Sequence, residues 1–513
     1  MPARHLILAT LLLTTYCFAQ TPTTQQPPRG PRPEPAPGKM PFVHDPSTVI
    51  RSDGLYYVFT TGRGIPILSS PDLVNWTRQG SVFTAIPDDV HAAVPKNNGT
   101  DVWAPDIVKV GNLYYLYYAV SFWGSFNSAV ALATNTTLNP KSPDYKWTDR
   151  GVVVSSDGKE DLNAIDPGVM LAPDGTLWLC YGSYHGTIDL IQLDPKTGLR
   201  IAPKSPVTII ATGSEASDII AHGDYYYLFV NHGSCCQGKN SSYNIRVGRA
   251  NTPTGPYLDR YGQPLTKAPG NLFLAAHDHR IGPGHFGRVI EDTDTAAMLA
   301  PAERFSLHYE ADLDNQGRAD LGIRPLLWSA DDWPLAGDTL AEATYQIVSR
   351  KSEDTLELRL PPTPKPAANP GAPPQTAPSS AVGLVPPSPA APITRPPTPP
   401  VPANESAAYS ERPNSNPIHL ARYIATPNQQ WTIAPAGNGF YKILNFSNGQ
   451  ALEVPVICGG ICPIHLAPFT SADNQLWRID QLPDASYRIR DKLTGAGLVF
   501  QPGDLNTWLI TTP

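Results

Sequence analysis

The stretch HDPSTVIRSDGLYYVFTT, residues 44–61, decides how the rest of the chain is read. An acid precedes a short apolar strand, a Ser-Asp-Gly turn reverses the chain, and an aromatic strand follows, which is the pattern of two short antiparallel strands. The same order recurs in WAPDIVKVGNLYYLYYA (103–119), AIDPGVMLAPDGTLWLCYG (164–182) and GSEASDIIAHGDYYYLFVN (213–231). A looser fifth copy is GPGHFGRVIEDTDTAAML (282–299), continued by RFSLHYEA (304–311). The aromatic anchors Tyr57, Tyr115, Trp178 and Tyr226 stand 58, 63 and 48 residues apart, the length of one four-stranded sheet with its loops. Long helical periodicity is missing between the strands, so an antiparallel all-β array is expected rather than alternating strands and helices. Closing five such sheets radially protects their edges and predicts a five-bladed β-propeller. The first strand of each blade then lines the axis, which aims Asp45, Asp106, Asp166, Glu215 and His285 into one funnel. A lone acid at a strand start is most often a turn cap; four acids and a histidine at matching places in five repeats point to a site.

After Trp333 a second repeat system begins. YQIVSRKSEDTLEL (345–358), YKILNFSNGQALEV (441–454) and YRIRDKLTGAGLVF (487–500) align without gaps, and IHLARYIATPNQQW (418–431) matches IHLAPFTSADNQLW (464–477) at an offset of 46. These units resemble the ricin-type β-trefoil lectin fold, whose Q-x-W signature falls on Gln429/Trp431 and Gln475/Trp477; Trp508 stands in only as N-T-W. Tyr345 to Trp431 spans 86 positions where Tyr441 to Trp477 spans 36, so about 50 residues interrupt the first unit. The proline-rich stretch at about 361–412 is therefore expected to be a disordered insertion within the trefoil, not an interdomain linker. The expected organisation is a signal peptide at 1–19, a Pro-rich tether at 20–39, the propeller at 40–336 and the trefoil at 337–513.

The signal peptide reading rests on Arg4 and His5 ahead of an apolar run from Leu6 to Leu13, with small Ala19 at the cleavage point, and implies a secreted or periplasmic chain. No later stretch approaches the ~18 apolar residues of a membrane span. The formal charge of −7 comes without a dense basic run, which removes the footprint of nucleic-acid binding. A neutral partner suits the 46 aromatic residues (10 Trp, 22 Tyr, 14 Phe) better, since rings stack on sugar faces.

Glycoside hydrolysis needs a carboxylic acid to protonate the leaving oxygen and a carboxylate to activate water or attack. Here the sequence resembles the arabinanase branch of glycoside hydrolase family 43. The resemblance lies in H-D-P-S (44–47), W-A-P-D (103–106), N-A-I-D-P (163–167), G-S-E-A (213–216), S-C-C-Q-G (234–238), N-I-R-V-G-R (244–249), G-P-G-H (282–285) and I-R-P-L-L-W (323–328). It covers roughly residues 40–335. It implies Asp45 as the general base, Glu215 as the general acid and Asp166 as the third carboxylate that holds the acid and raises its pKa. It also implies inversion, for which base and acid stand ~6.5–9.5 Å apart. The resemblance places the G-P-G-H histidine, His285, beside a cation, usually calcium, held largely by waters. A zinc site of the usual ligand spacing is not seen in the sequence.

Trp103, Asp106, Phe122, Asn163, Ser183 and Arg246 are the candidate sugar contacts. The implied substrate is arabinan, a neutral polysaccharide of α-1,5-linked L-arabinofuranose, cleaved internally. An exo-acting arabinofuranosidase or a β-xylosidase is the nearest alternative, and a non-catalytic glycan-binding protein is the alternative of another class. In the trefoil, Glu453, Phe469 and Asn474, or Glu357, Tyr423 and Asn428, are candidates for a second glycan site. Cys180 reads as a buried thiol, adjacent Cys235 and Cys236 as either a vicinal disulfide or a reduced pair, and Cys458 and Cys462 as a short local disulfide.

Overall fold

The computed structural model describes residues 40–202, 205–291, 303–359, 407–408, 418–437, 439–455, 464–500 and 506–513. The segments expected to be a signal peptide and a tether, the Cys458/Cys462 pair and nearly all of the Pro-rich stretch lie outside these residues.

Among the described residues the first part forms five successive antiparallel sheets in chain order, here sheets I to V, each of four strands save sheet II, to which the short strand Gly62–Arg63 adds a fifth. Their first strands are Val49–Ser52, Asp101–Val110, Gly168–Leu171, Glu215–His222 and Arg280–Ile290. Sheet V closes onto sheet I through a short parallel pairing, Val49 opposite Val289 and Ile50 opposite Ile290. The aromatic strands are buried on both faces, and this accounts for their unbroken apolar composition. In the second strand of sheet I, Tyr57 and Phe59 join Val102, Ile107 and Leu116 of sheet II in one core. Their neighbours Tyr56 and Val58 turn the other way, onto Val289 and Leu321 of sheet V. Separate cores likewise join sheets II to III, III to IV and IV to V. Five cores between five successive sheets make the ring, and each fully buried aromatic adds roughly 1.5–3 kcal/mol to it.

The last strand of sheet V, Pro334–Ala336, precedes the second unit, which begins with Ala343–Ser349. There six strands pair in a closed cycle: 343–349, 431–437, 440–445, 477–481, 487–491 and 508–511. Hairpins cap it, as expected of a trefoil. One pairs Thr355–Leu358 directly with Ile418–Ala421, so the Pro-rich stretch is bracketed inside a single hairpin. Trp431, Trp477 and Trp508 fill the core, and their indole N–H groups donate to the carbonyls of Leu356, Leu452 and Leu498 at 2.9, 2.9 and 3.2 Å. Trp508 thus occupies the third Q-x-W place despite its different flanks.

Candidate active site at the propeller axis

Every inner strand carries, within it or just ahead of it, a residue in the left-handed backbone region: Asp45 (φ 46°), Ala104 (φ 41°), Asp166 (φ 53°), Ala216 (φ 50°) and His285 (φ 59°). Three of these strands also bulge there, between Trp103 and Asp106, Glu215 and Asp218, and Gly284 and Gly287. This repeated kink aims side chains at the axis and costs roughly 1–2 kcal/mol at each non-glycine residue. It also corrects the repeat alignment. Asp106 is not equivalent to Asp45 but lies two residues beyond the kink, in register with Ser47, Gly168, Asp218 and Gly287.

That shift changes what Asp106 does. Its side chain is buried, and its two oxygens accept the amides of Thr48 in sheet I (2.9 Å) and Val169 in sheet III (2.8 Å). Both oxygens tie it to neighbouring sheets, so it is a strut between them.

Asp45 is held from several sides. Thr61 donates its hydroxyl to Oδ2 at 2.6 Å, while His44 Nδ1 stands 2.9 Å and His285 Nδ1 3.4 Å from Oδ1. Burial would raise its pKa, but the charge of His44 and the hydrogen bonds from His285 and His44 outweigh it and hold the carboxyl well below the usual range. Asp166 accepts the Ala216 amide at 3.2 Å and is pushed up to about 6, by burial first, with the charge of His285 opposing and that of Asp45 reinforcing. Glu215 is pushed up to about 8 by burial and then by the charge of Asp166; a hydrogen bond from Tyr243 opposes the shift. The three carboxyls and His285 therefore sense one another's charge, and their pKa values are driven apart.

The G-P-G-H segment fits around this cluster. A side chain at Gly284 would collide with the Tyr243 ring at 2.3 Å, so the glycine is what lets Tyr243 reach Glu215. Gly282, at φ 63°, would drive a Cβ into Glu310 at 2.7 Å. Asn231 ties the two sheets together, its side-chain carbonyl accepting the His285 amide at 3.0 Å and its nitrogen donating to the Pro283 carbonyl at 3.3 Å.

The other expected contacts divide. Trp103 meets exposed Trp123 edge-on at 6.4 Å, and Phe122 helps line a depression of about 630 Å³ with Lys96, Phe126 and Asp157; none of the three carboxyls lines it. Asn163 and Ser183 are buried in local structure, Asn163 accepting from Ser128 at 2.6 Å and Ser183 from the His185 amide at 3.2 Å. Arg246 is on the third strand of sheet IV, with its guanidinium given to Asn244 and the Gly270 carbonyl. These bonds give each of the three a framework role. Cys180 is a buried thiol, and Cys235 and Cys236 form the vicinal disulfide.

In the trefoil, Glu453 is braced by Gln475 at 2.6 Å and His465 at 3.2 Å, and Phe469 lies beneath the Lys442 ammonium. Asn474 is buried and donates to the Val454 carbonyl at 2.8 Å.

The residues missed by sequence reasoning are Thr61, Tyr243, Asn231, His44, His308 and Glu310. His44, His308 and Glu310 bring ligand-type atoms within 4.8 Å of one another. His285 belongs to no such three-residue group among the described residues. With Nδ1 turned to Asp45, it has one nitrogen for a cation, which fits an ion held by one protein ligand and water rather than by a protein cage.

A closed ring of sheets with a proton-bearing carboxyl and an ionised one near its axis is the apparatus of a glycoside hydrolase. Residues 37–334 match the family described as glycosyl hydrolases family 43, and the chain belongs to it; residues 427–504 match the ricin-type beta-trefoil lectin domain-like family. The chain is 37% identical over 309 residues to an extracellular exo-alpha-(1->5)-L-arabinofuranosidase of Cellvibrio japonicus, covering 85% of that protein and 57% of this one. It is 35% identical over 303 residues to the extracellular endo-alpha-(1->5)-L-arabinanase 1 of Bacillus subtilis, covering 87% of that protein and 57% of this one. The solved structure of a Cellvibrio cellulosa alpha-L-arabinanase complexed with arabinohexaose superposes with a TM-score of 0.53 at 33% identity, covering 96% of that chain and 58% of this one.

Proposed function

We propose that this chain is a secreted, inverting hydrolase that cleaves α-1,5-linked L-arabinofuranose chains of arabinan internally. Asp45 takes a proton from water as general base, and Glu215 gives one to the departing glycosidic oxygen. The observation that carries this reading is the divergence of two nearby carboxyls, Asp45 held well below and Glu215 pushed up to about 8, so that base and acid are both in working form near neutrality. Asp166 contributes the negative charge that keeps the proton on Glu215, and Tyr243 orients that carboxyl.

Trp103, Trp123 and Phe122 offer rings for furanose faces. His285 would hold a water-coordinated calcium ion, which when bound supplies positive charge near Asp45. The trefoil would contact a second glycan through Glu453, His465 and Phe469. Export accords with relatives named extracellular.

Product analysis on linear arabinan, comparing the wild type with Glu215→Gln, tests the reading. Mixed oligosaccharides that vanish in the variant are expected. Arabinose as the sole product would replace internal with chain-end cleavage, and no product from the wild type would reduce the protein to a glycan binder.

A further inference from the structure

Behind Asp45, on the side away from Thr61, lie three buried or half-buried groups that the mechanism above leaves unused. His44 links two carboxylates, with Nδ1 2.9 Å from Asp45 Oδ1 and Nε2 3.4 Å from Glu310 Oε1. His308 stacks on the His44 ring with centroids 4.1 Å apart. Its Nδ1 accepts the Asp45 amide at 3.2 Å, and its Nε2 is buried without a hydrogen-bond partner, 3.7 Å from Glu310 Oε1. Glu310 also accepts the amide of Cys236 at 2.7 Å.

Two histidines and a carboxylate this close suggest a transition-metal site, but the tautomer argues against one. Because His308 Nδ1 accepts a backbone N–H, the ring proton of neutral His308 must sit on Nε2, the atom a metal would need as a lone pair. Moving that proton to Nδ1 would set two hydrogens against each other at the Asp45 amide. A charge array accounts for all the contacts without that conflict. His44 is cationic between its two carboxylates: burial opposes the charge, but Asp45 and Glu310 outweigh it and push its pKa up to about 10. Burial and the neighbouring His44 charge hold His308 neutral, down to about 4.

We propose that Glu310 is a positioning residue for Asp45, acting through His44: it fixes the His44 ring so that Nδ1 pins one oxygen of Asp45 while Thr61 pins the other. The inference rests on the reading of Asp45 as the base. His308 is the spacer of this array, stacked on His44 and anchoring the strained backbone of Asp45 through its amide. Fixing both oxygens of a carboxylate restricts where the attacking water can bind, and a small misplacement there costs up to about 100-fold in rate.

The test is a double-mutant cycle on a linear arabino-oligosaccharide, with Asp45→Ala as reference. Glu310→Gln keeps an acceptor for the Cys236 amide and removes the charge. It should lower kcat about 10- to 100-fold with KM changed less than about twofold. His44→Gln should lose about as much, and the double variant should be no worse than His44→Gln alone, because the two residues act in series. Losses that multiply, or an unchanged kcat in Glu310→Gln, would overturn the proposal. So would one equivalent of tightly held zinc whose removal abolishes kcat in the wild type and which Glu310→Gln no longer binds. Near-ultraviolet circular dichroism verifies folding, and Glu310→Asp enters the cycle under the same criteria if Glu310→Gln is not folded. Asp45→Ala separates the two claims: if it keeps full activity, the base assignment itself falls, whereas an inactive Asp45→Ala beside a fully active Glu310→Gln removes only the role of Glu310.

Discussion

Propeller and trefoil are both built by repetition, and they treat their repeated positions in opposite ways. In the trefoil the same device recurs: Glu357 with Gln429 and His419, then Glu453 with Gln475 and His465, each glutamate braced by the glutamine of its Q-x-W. In the propeller the kinked position in or just ahead of each inner strand carries Asp, Ala, Asp, Ala and His in turn. The backbone repeats and the chemistry does not. A repeat kept intact is part of the scaffold, as the three tryptophan-to-carbonyl bonds show, whereas a repeat whose side chains diverge on a conserved backbone marks the place where work is done.

The sharpest break of this contrast sets acids of the two units against each other. Glu215→Gln and Asp45→Ala should each lower kcat on arabinan by about 10³- to 10⁴-fold. Glu453→Gln, which removes a braced trefoil acid, should leave kcat within about twofold. Steady-state rates on a short soluble arabinan check both, and a comparable loss from the trefoil variant would erase the distinction.

A scaffold position should behave in reverse. Trp477→Ala removes a fully buried indole and its bond to Leu452 and should destabilise the trefoil by about 3–5 kcal/mol. Denaturant unfolding followed by intrinsic fluorescence measures this, and kcat should persist wherever the propeller stays folded.

Much of this was legible because period and composition are geometric signals. Doubly buried aromatic strands and gapless trefoil repeats can be counted along the chain, and Asp45, Asp166, Glu215 and His285 stand at or beside the kinks those repeats define. Asp106 was misplaced because the copies were aligned on the identity of an acid, while the structure aligns them on backbone conformation. The second rank of the site was hidden for another reason. His308 and Glu310 alternate on the second strand of sheet V, where sequence reading expects packing. Their signal was the run of ionisable residues on one face of that strand, Arg304, His308, Glu310 and Asp312, since a buried ionisable group requires a partner. Tyr243 and Asn231 gave no such signal, because an aromatic or an amide in a buried strand has many ordinary uses. Arg246, Asn163 and Ser183 also bond to the framework, which a motif alone does not reveal.

The split between the carboxyls can be sharpened by pH. The charge of Asp166 favours the protonated form of Glu215, so removing it in Asp166→Asn lowers the pKa of Glu215 from about 8. Activity depends on that proton and is lost as pH rises, so the alkaline limb of kcat/KM should move to lower pH in the variant. An unmoved or higher limb would deny the coupling. The smallest effect is expected from calcium. Dialysis against a chelator should reduce kcat by only a few-fold, with recovery on adding calcium, because the proposed water-held ion beside His285 would tune charge without bearing on the scissile bond directly.

The central claim is that Asp45 drives a water molecule, rather than its own oxygen, onto the sugar while Glu215 protonates the leaving group from the other face. Proton NMR of the hydrolysis mixture in its first minutes, before mutarotation, tests this most directly. The account predicts that the newly freed reducing end appears as the β-anomer of L-arabinofuranose. Initial release of the α-anomer would contradict it.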